Sequence, residues 1–418
     1  MTKLTHVVNL DMMKHRSVES SVERFAFAGR KMALVSGPRQ CGKTTLGRAL
    51  LGRRDVGAYR NWDQREFRRE WAQGPSAVVP KPEGAGIPLL VLDEIHKAHL
   101  WKRDLKGLYD TLESPCDILV TGSARLDAYR KGGDSMLGRY FQFRLHPFSV
   151  REMDRPDVRP PDDAISDLFA CPPSGSRSAR ERLDALLAYG PFPEPLFAQD
   201  AQNARLWRRN HDVLVIREDL RDLSRLPELS RVEVLAALLP GRVGSLFSQA
   251  AAARDLETSI PTIRRWMSHL SSLYYAFEIR PYSRNIARSL KREAKVFLWD
   301  YGAVRDDAAR FENLVGSHLL KACHHWTDTG EGLFELSFLR NKEKREIDFL
   351  IVRDGKPWLP VEAKTSGQEP SPNWAKFMPF LPCRRGLQIT RAPGWKIHAA
   401  GDAKILVAGA AEALDALV

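Results

Sequence analysis

The sequence of 418 residues lacks several features that mark special classes of protein. No run of about 18 apolar residues occurs in it, which excludes a membrane-spanning helix. The first 17 residues are polar and have no apolar core, so we expect no signal peptide. The five cysteines are scattered and never form a Cys-x-x-Cys pair, which argues against a disulfide framework and a zinc ribbon. Together these absences predict a cytoplasmic protein that does not bind membranes.

Acidic residues are too few to balance the basic ones. The chain has 64 Lys and Arg against 52 Asp and Glu, which gives a formal net charge of +12 and an isoelectric point of about 9.5. This excess favours a polyanionic partner, of which nucleic acid is the first candidate; basic residues spread over the surface for solubility are the alternative. Hydrophobic residues at 43% and charged residues at 28% are typical of folded proteins and exclude a disordered chain.

The chain divides into four predicted segments, 1–153, 154–230, 231–305 and 306–418. In the first, apolar strands alternate with polar, helix-like stretches, which predicts an α/β fold with a mainly parallel sheet. The predicted strands are Met32–Ser36, Tyr59–Asp63, Leu89–Asp93, Ile118–Gly122 and Tyr140–Leu145. Residues 154–181 are rich in proline, serine and charge and are predicted to be a break. Residues 182–230 are predicted to be helical, interrupted by Gly-Pro-Phe-Pro-Glu-Pro at 190–195.

A phosphate-binding loop follows the first predicted strand. The segment from Gly37 to Thr44 matches the pattern G-x-x-x-x-G-K-[ST], and a helix-like stretch follows it. Glycines let backbone N–H groups surround phosphate oxygens, and the helix N-terminus adds positive potential. Lys43 is predicted to reach the β- and γ-phosphates of ATP, and Thr44 to hold Mg²⁺. The residues predicted to bind the nucleotide are Gly37, Pro38, Arg39, Gln40, Cys41, Gly42, Lys43, Thr44 and Thr45.

Two carboxylates end the strand at Leu89–Asp93. Asp93 is predicted to bind Mg²⁺, directly or through water, and Glu94 to orient the water that attacks the γ-phosphate. The strand Ile118–Gly122 is also followed by polar residues. Its end is expected to lie between the phosphate loop and the two carboxylates and to sense the γ-phosphate, with Ser123 as the first choice and Thr121 as the alternative.

An arginine, Arg139, precedes the last predicted strand of this segment. Such a residue can act in its own subunit, reach the γ-phosphate of a neighbouring subunit, or lie on the surface without a catalytic role. All three alternatives remain open from the sequence alone.

The order of these motifs resembles a group of AAA-type P-loop ATPases. The resemblance rests on GPRQCGKT, VLDEIHK, VTGSA, LGRY followed by HPFS, and GPFPEP. It implies an ATPase core, a small helical lid over residues 154–230 and a ring-like homo-oligomer, with a hexamer favoured. It also implies that Lys43, Thr44, Asp93, Glu94, Ser123 and, less directly, Arg139 serve the nucleotide. Proteins of this group commonly carry a C-terminal domain described as of unknown function.

Residues 231–305 are predicted to form a winged helix. A short amphipathic helix at 246–257, a turn with Ser259 and Pro261, and a second helix from Ile263 fit a helix-turn-helix, and an extended stretch after it fits a β-wing. The stretch 261–296 carries a net charge of +6. Packing against another protein is the alternative to DNA binding. The residues predicted to contact DNA, with weak sequence selectivity, are Arg264, Arg265, Arg284, Arg288, Lys291 and Arg292.

Residues 306–418 resemble the PD-(D/E)XK nuclease core. Asp348 lies in an apolar strand, and Glu362 and Lys364 share one face of the next strand, while Glu312 matches the acid of a preceding helix. In an active enzyme the acids hold a second divalent metal and the lysine orients water. The alternative is a retired nuclease fold in which these charges form salt bridges.

The whole sequence therefore predicts a Mg²⁺-dependent ATPase that binds DNA, with remodelling of branched or damaged duplex as its expected task. Two further functions remain open. One is a nucleotide-gated nuclease that acts in defence against invading DNA, and the other is an ATP-dependent signalling switch whose partners are proteins.

Overall fold

The computed structural model describes residues 14–82, 84, 86–122, 136–171, 177–220, 228–283 and 292–417. The chain forms two compact units. The first contains the N-terminal residues up to Val35, Gly42–Gly122 and the segment that ends at Phe143, and the second contains Ser36–Cys41 and everything from Arg144 onward. No helix among the described residues is long and apolar enough to cross a membrane.

A five-stranded sheet forms the core of the first unit. Its strands are β1 Met32–Ser36, β2 Gly57–Asn61, β3 Leu89–Asp93, β4 Asp117–Gly122 and β5 Tyr140–Arg144. They lie in the order β2-β3-β4-β1-β5, and the pairs β2–β3 and β3–β4 are parallel. Strand β4 thus lies between β3, which ends at Asp93, and β1, which leads into the phosphate loop, as predicted. Residues in β1, β3 and β4 are all buried, which explains why these strands read as unbroken apolar runs.

Helices cover this sheet. Their bounds are α1 Ser17–Ser21, which continues into a π-helical turn Val22–Phe27, then α2 Lys43–Leu51, α3 Arg65–Gln73 and α4 Trp101–Asp110, with short 3₁₀ turns at Pro75–Val78 and Ile95–Lys97. Helices α3 and α4 lie in the crossovers of the parallel pairs β2–β3 and β3–β4, which is the arrangement that parallel strands require, and α2 connects β1 to β2.

The second unit begins with helices. They are α5 Pro161–Ala170, α6 Arg177–Tyr189, α7 Pro193–Ala198, α8 Ala201–Val213 with a π-helical continuation Leu214–Asp219, and α9 Leu229–Leu238 with a 3₁₀ turn Leu239–Arg242. The prediction of a break at 154–181 is wrong for α5. This helix begins with Pro161 and two acids, which favour a helix start, and it buries Ile165 and Leu168.

An eight-stranded sheet forms the core of the second unit, in the order β12-β13-β11-β10-β9-β8-β6-β7. Its strands are β6 Ala276–Pro281, β7 Lys295–Leu298, β8 Phe334–Arg340, β9 Glu346–Arg353, β10 Lys356–Lys364, β11 Arg385–Thr390, β12 Trp395–Ala400 and β13 Ala403–Gly409. The remaining helices are α10 Gln249–Asp255, α11 Ile260–Ser272, α12 Asp307–Asp328, α13 Trp374–Phe377 and α14 Ala410–Asp415, with 3₁₀ turns at Tyr301–Ala303 and Met378–Phe380.

Two helices joined by a turn, α10 and α11, lie where the helix-turn-helix was predicted, and the strands after them belong to this sheet. Helices α10 and α11 are capped by Ser248 and Ser259, whose hydroxyls accept backbone N–H groups of the first turn. Strands β6 and β7 pair antiparallel, as expected for a wing, and β6 also pairs in parallel with β8. The predicted boundary at 305/306 therefore does not separate two sheets, and the three predicted segments after residue 153 share one compact unit.

Candidate functional site

The first half of the phosphate loop requires glycine at residue 37. A Cβ atom on Gly37 would lie 2.3 Å from the carbonyl oxygen of Leu145, which is backbone and cannot move aside. The Leu145 N–H in turn donates to the carbonyl oxygen of Ser36, and the Cys41 thiol lies 3.6 Å from the Leu145 oxygen. Residues 36–41 of the loop are thus held against the chain that follows β5.

The second half of the loop begins helix α2. Gly42 has a φ of 102°, a left-handed conformation that favours glycine, and it caps the helix that starts at Lys43. Lys43 is buried, whereas Thr44 and Thr45 are exposed. This arrangement leaves the first N–H groups of α2 at the end of β1, where a phosphate is favoured by the helix dipole.

Asp93 is the centre of the site in the first unit. Its side chain is only 1% exposed and accepts hydrogen bonds from four side chains. The Thr44 hydroxyl lies 2.7 Å from Oδ2, and the Thr121 hydroxyl lies 2.5 Å from Oδ1. The Tyr59 hydroxyl and the Asn61 amide, both from β2, also donate to Oδ2, at 2.6 and 3.3 Å. The phosphate-loop helix and strands β2, β3 and β4 therefore all converge on one carboxylate.

Tyr59 and Asn61 were not predicted as site residues. The parallel register places Asn61 beside Asp93 and Asp93 beside Thr121, so the three neighbouring strands end at one level. Burial and the adjacent Asp93 raise the pKa of Tyr59 to about 12, which keeps its hydroxyl a proton donor to the carboxylate. The signal that could have found them is the pair of polar side chains two residues apart near the end of a predicted strand.

Glu94 follows Asp93 in the left-handed conformation, with a φ of 58°. This turn directs the chain away from the strand, and the Glu94 N–H donates to the carbonyl oxygen of Thr121. Its carboxylate pairs with Lys97 at 3.4 Å and lies 3.7 Å from His96. Burial disfavours the charge of Lys97, but hydrogen bonds and attraction from Asp63 and Glu94 outweigh burial and raise the pKa of the lysine. The Lys97 ammonium therefore stays charged, and its ion pair holds the Glu94 carboxylate in place.

The polar end of β4 is described only in part. Thr121, the alternative choice for the residue that senses the γ-phosphate, is buried against Asp93. Ser123, the first choice, lies outside the described residues.

Arg139 lies far from the phosphate loop within its own subunit. Its carbonyl oxygen accepts the N–H of Met32, the first residue of β1, so it lies at the opposite end of the strands from Gly42 and Asp93. Five residues of strand span about 16 Å. The guanidinium binds both oxygens of Asp110, at 2.6 and 2.9 Å. This position does not allow Arg139 to serve the nucleotide of its own subunit, and leaves a neighbouring subunit or a surface role.

Three regions of the chain match known families. Residues 29–154 match the AAA domain family, and this match contains the phosphate loop, Asp93, Glu94 and Arg139. Residues 29–154 form an AAA-type P-loop domain. Residues 180–328 match a domain of unknown function (DUF8612), and residues 308–392 match another (DUF4143). The expectation of an AAA-type domain followed by domains of unknown function is confirmed, whereas the winged-helix and nuclease-like assignments stay predictions.

Two bacterial proteins that are similar to this chain are described as uncharacterized. The chain is 24% identical over 338 residues to a protein of Mycobacterium tuberculosis, which covers 78% of this chain and 69% of the relative. It is 22% identical over 343 residues to a protein of Haemophilus influenzae, and this alignment covers 76% of this chain and 78% of the relative. Among solved structures, the Walker-type ATPase of Pyrococcus abyssi matches with a TM-score of 0.41 and 15% identity, covering 71% of this chain and 95% of that chain.

Outside the AAA domain, the structure brings the four predicted nuclease-like residues into one cluster. Glu312 lies on α12, Asp348 on β9, and Glu362 and Lys364 on β10. The Lys364 Nζ atom is 2.9 Å from Glu362 Oε1, so these two side chains share a face as predicted. Asp348 Oδ2 accepts the backbone N–H of Ala363 on β10, which fixes β9 and β10 side by side at this point.

Two charged residues in this cluster were missed by the sequence reasoning. Glu346 lies two residues before Asp348, on the same face of β9. Lys295 comes from β7, and its ammonium contacts Glu346, Glu312 and Asp348. The signal for Lys295 was a single lysine in an otherwise apolar strand, because a buried charge requires partners of opposite sign.

The charges of the cluster shift one another. Burial raises the pKa of Glu312, and so does Asp348, while Lys295 acts in the opposite direction. Burial lowers the basicity of Lys295, but the three carboxylates outweigh burial and raise its pKa. The Lys295 ammonium therefore stays charged. Among the described residues, no group of three or more His, Cys, Asp or Glu side chains is arranged to hold a metal ion.

The predicted DNA-contacting residues are placed only in part. Arg264 and Arg265 are exposed in the first turns of α11, and Arg292 is exposed just before β7. Arg284, Arg288 and Lys291 lie outside the described residues. Two basic residues that contribute to the net charge of the stretch 261–296 already have acidic partners. Lys295 is buried among acids, and Arg280 pairs with Glu278 at 3.0 Å.

Proposed function

We propose that this chain is a Mg²⁺-dependent ATPase that binds DNA and acts as a homo-oligomer. The observation that supports the ATPase best is the convergence of Thr44, Tyr59, Asn61 and Thr121 on Asp93, with Glu94 as the next residue. Four hydrogen-bond donors fix the buried carboxylate of Asp93 at the end of β3. Such preorganisation is what phosphoryl transfer requires, because its catalysis is mainly positioning and electrostatic stabilisation.

The residues around Asp93 fit a magnesium ion. The Thr44 hydroxyl and the Asp93 carboxylate lie 2.7 Å apart, and oxygen atoms of these types are the ligands that Mg²⁺ prefers. When bound with ATP, Mg²⁺ neutralises charge on the β- and γ-phosphates. Thr44 and Asp93 would hold it, and Lys43 would contact the same phosphates. Tyr59 and Asn61 keep Asp93 in place, and Glu94 would accept a hydrogen bond from the attacking water.

The proposal of DNA binding is supported by Arg264 and Arg265. Both are exposed at the start of the second helix of a helix-turn-helix, where such helices contact DNA. Among the described residues, neither has an acidic partner within hydrogen-bond distance. The contacts expected are with phosphates, because arginine side chains on such a helix can bind phosphate oxygens without reading the base sequence.

Replacing Arg264 and Arg265 together with alanine is expected to weaken DNA binding in a salt-dependent way. Each lost phosphate contact makes the slope of log affinity against log salt shallower by about 0.9, so the double variant should lose about two units of slope. Fluorescence anisotropy with duplex, single-stranded and four-way-junction DNA, at several salt concentrations, measures this. Arg177→Ala is the matched control, since Arg177 is also exposed and pairs with Glu181 on the same helix. An unchanged slope would favour a switch whose partners are proteins.

The proposal of a homo-oligomer predicts that Arg139 acts across a subunit interface. Its position away from its own phosphate loop leaves a neighbour's nucleotide as the place where it can act in catalysis. Arg139→Ala should lower the ATPase rate by about 10³-fold, the lower range for an arginine finger, with little change in ATP affinity. Asp110→Ala, which removes the partner of Arg139, is the control for a structural role. Sedimentation that shows only monomers, with and without ATP, would contradict the proposal.

A further inference from the structure

Lys295 is an unusual residue for its position. All four residues of β7 are buried, and Lys295 is only 2% exposed. Moving a charged side chain out of water is unfavourable unless carboxylates compensate it. A lysine is therefore stable in such a strand only where carboxylates lie beside its ammonium.

The Lys295 ammonium lies among three carboxylates from two other elements. Its Nζ atom is 2.6 Å from Glu346 Oε1, 3.0 Å from Glu312 Oε1 and 3.6 Å from Asp348 Oδ1. Glu312 and Asp348 are the helix acid and the first strand acid that the nuclease resemblance assigns to a divalent metal. An ammonium has three N–H donors and no acceptor, so it can serve three acidic partners at once.

Two acids of the cluster, Glu346 and Glu362, have a cation other than Lys295 beside them. Glu346 accepts a hydrogen bond from Arg340 at 2.7 Å, and Glu362 pairs with Lys364 at 2.9 Å. Four carboxylates thus face three cationic side chains. A divalent metal binds where negative charge is in excess, and here it would meet an ammonium that already lies between the acids it needs.

The backbone covers the Glu312 side of the cluster. A Cβ atom on Gly244 would lie 2.7 Å from Glu312 Oε2, so the second oxygen of this carboxylate is packed against the main chain. The segment around Gly244 bridges β7 at two points, Val243 to Val296 and Leu246 to Lys295. Glu312 therefore has one oxygen on Lys295 and the other close to the backbone of Gly244.

We propose that the Lys295 ammonium is the resident cation of this cluster, in the place that a divalent metal takes in a PD-(D/E)XK nuclease. The acids Glu312, Glu346 and Asp348 then join β7, α12 and β9 instead of supporting cleavage. The inference is independent of the ATPase proposal, because it concerns residues of the second unit only.

The proposal predicts that removing the ammonium creates a metal site. In Lys295→Met the ammonium between the three acids is gone and only Glu346 keeps a cation, Arg340, beside it, so the variant should lose thermal stability in EDTA and regain it with Mn²⁺. Titration of the full chain with Mn²⁺, without nucleotide, should show binding at least about 10-fold tighter than in the unmodified protein, because carboxylate oxygens are good ligands for this ion. Asp348→Asn in the Lys295→Met background should abolish the gain, and Lys404→Met, an exposed lysine on β13, should show none.

The unmodified protein provides a second test, which does not need a variant without Lys295. Mn²⁺ should change the melting temperature of the unmodified protein no more than it changes that of Asp348→Asn, and the two proteins should bind Mn²⁺ equally weakly. Labelled linear, single-stranded and junction DNA should remain intact when the unmodified protein is incubated with Mg²⁺ or Mn²⁺. Mn²⁺ binding that disappears in Asp348→Asn, or cleavage of any of these DNA forms that Lys364→Ala abolishes, would overturn the proposal. So would a Lys295→Met variant that is as stable as the unmodified chain in EDTA.

Discussion

Replacing Glu94 with glutamine is expected to lower kcat for ATP hydrolysis by about 10²- to 10⁴-fold, the range for loss of a positioned base. The variant keeps the size of the side chain and removes the negative charge that polarises water. ATP affinity should change little, because Lys43, Thr44 and Asp93 remain. Phosphate release measured together with equilibrium binding of a fluorescent ATP analogue separates the two effects.

Glu113→Gln is the matched control for Glu94, since Glu113 is exposed on the same domain and precedes β4, whose first residue pairs with Leu89 at the opposite end of β3 from Asp93. It should hydrolyse ATP at the unmodified rate. Ordinary turnover by Glu94→Gln would show that another group orients the water. The pairing of Glu94 with Lys97 would then be its main role.

The loss of Lys43 is expected to have the second large effect, on binding itself. A charged hydrogen bond to a phosphate is worth about 1.5–3 kcal/mol, so Lys43→Ala should weaken ATP binding by about 10- to 100-fold and abolish measurable hydrolysis. The lysine is buried at the start of α2, where its ammonium can reach phosphates held by the loop. Isothermal titration with ATP and Mg²⁺ measures the change.

Lys81→Ala serves as the control, because Lys81 is an exposed lysine of the same domain. The melting temperature of Lys43→Ala without nucleotide should stay near that of the unmodified protein. If Lys43→Ala bound ATP with unchanged affinity, the assignment of the loop from Gly37 to Thr44 as the phosphate site would fail.

The AAA domain was largely predictable from sequence because its signals are local. Four of its five strands were predicted to within one residue at each end, and three of these, β1, β3 and β4, are buried apolar runs of the kind that is easiest to recognise. The exception is β2, Gly57–Asn61, predicted two residues too late. Its side chains are only partly buried, so no apolar run marks it. The proximity of Thr44 to Asp93 followed from strand ends that meet at one edge.

Features that depend on distant parts of the chain were not predictable in this way. The place of Arg139 at the far end of the sheet depends on the pairing of β5 with β1, which no local pattern specifies. The partners of Lys295 come from α12 and β9, so a count of basic residues included it in the net charge of the stretch 261–296 as if it were unpaired. Helix α5 was missed because Pro161 and charged residues were taken as signs of a loop, although proline in a first turn favours a helix.

The pairing of β6 with both β7 and β8 has a consequence for dissection of the chain into fragments. A fragment that ends at residue 305 would leave β6 with an open edge and would remove Glu312, Glu346 and Asp348 from Lys295. Open strand edges pair with other chains, and an uncompensated buried ammonium is strongly destabilising. The helix-turn-helix and the C-terminal sheet should therefore unfold as one cooperative unit, and hydrogen exchange at α11 and at β9 should report the same opening free energy.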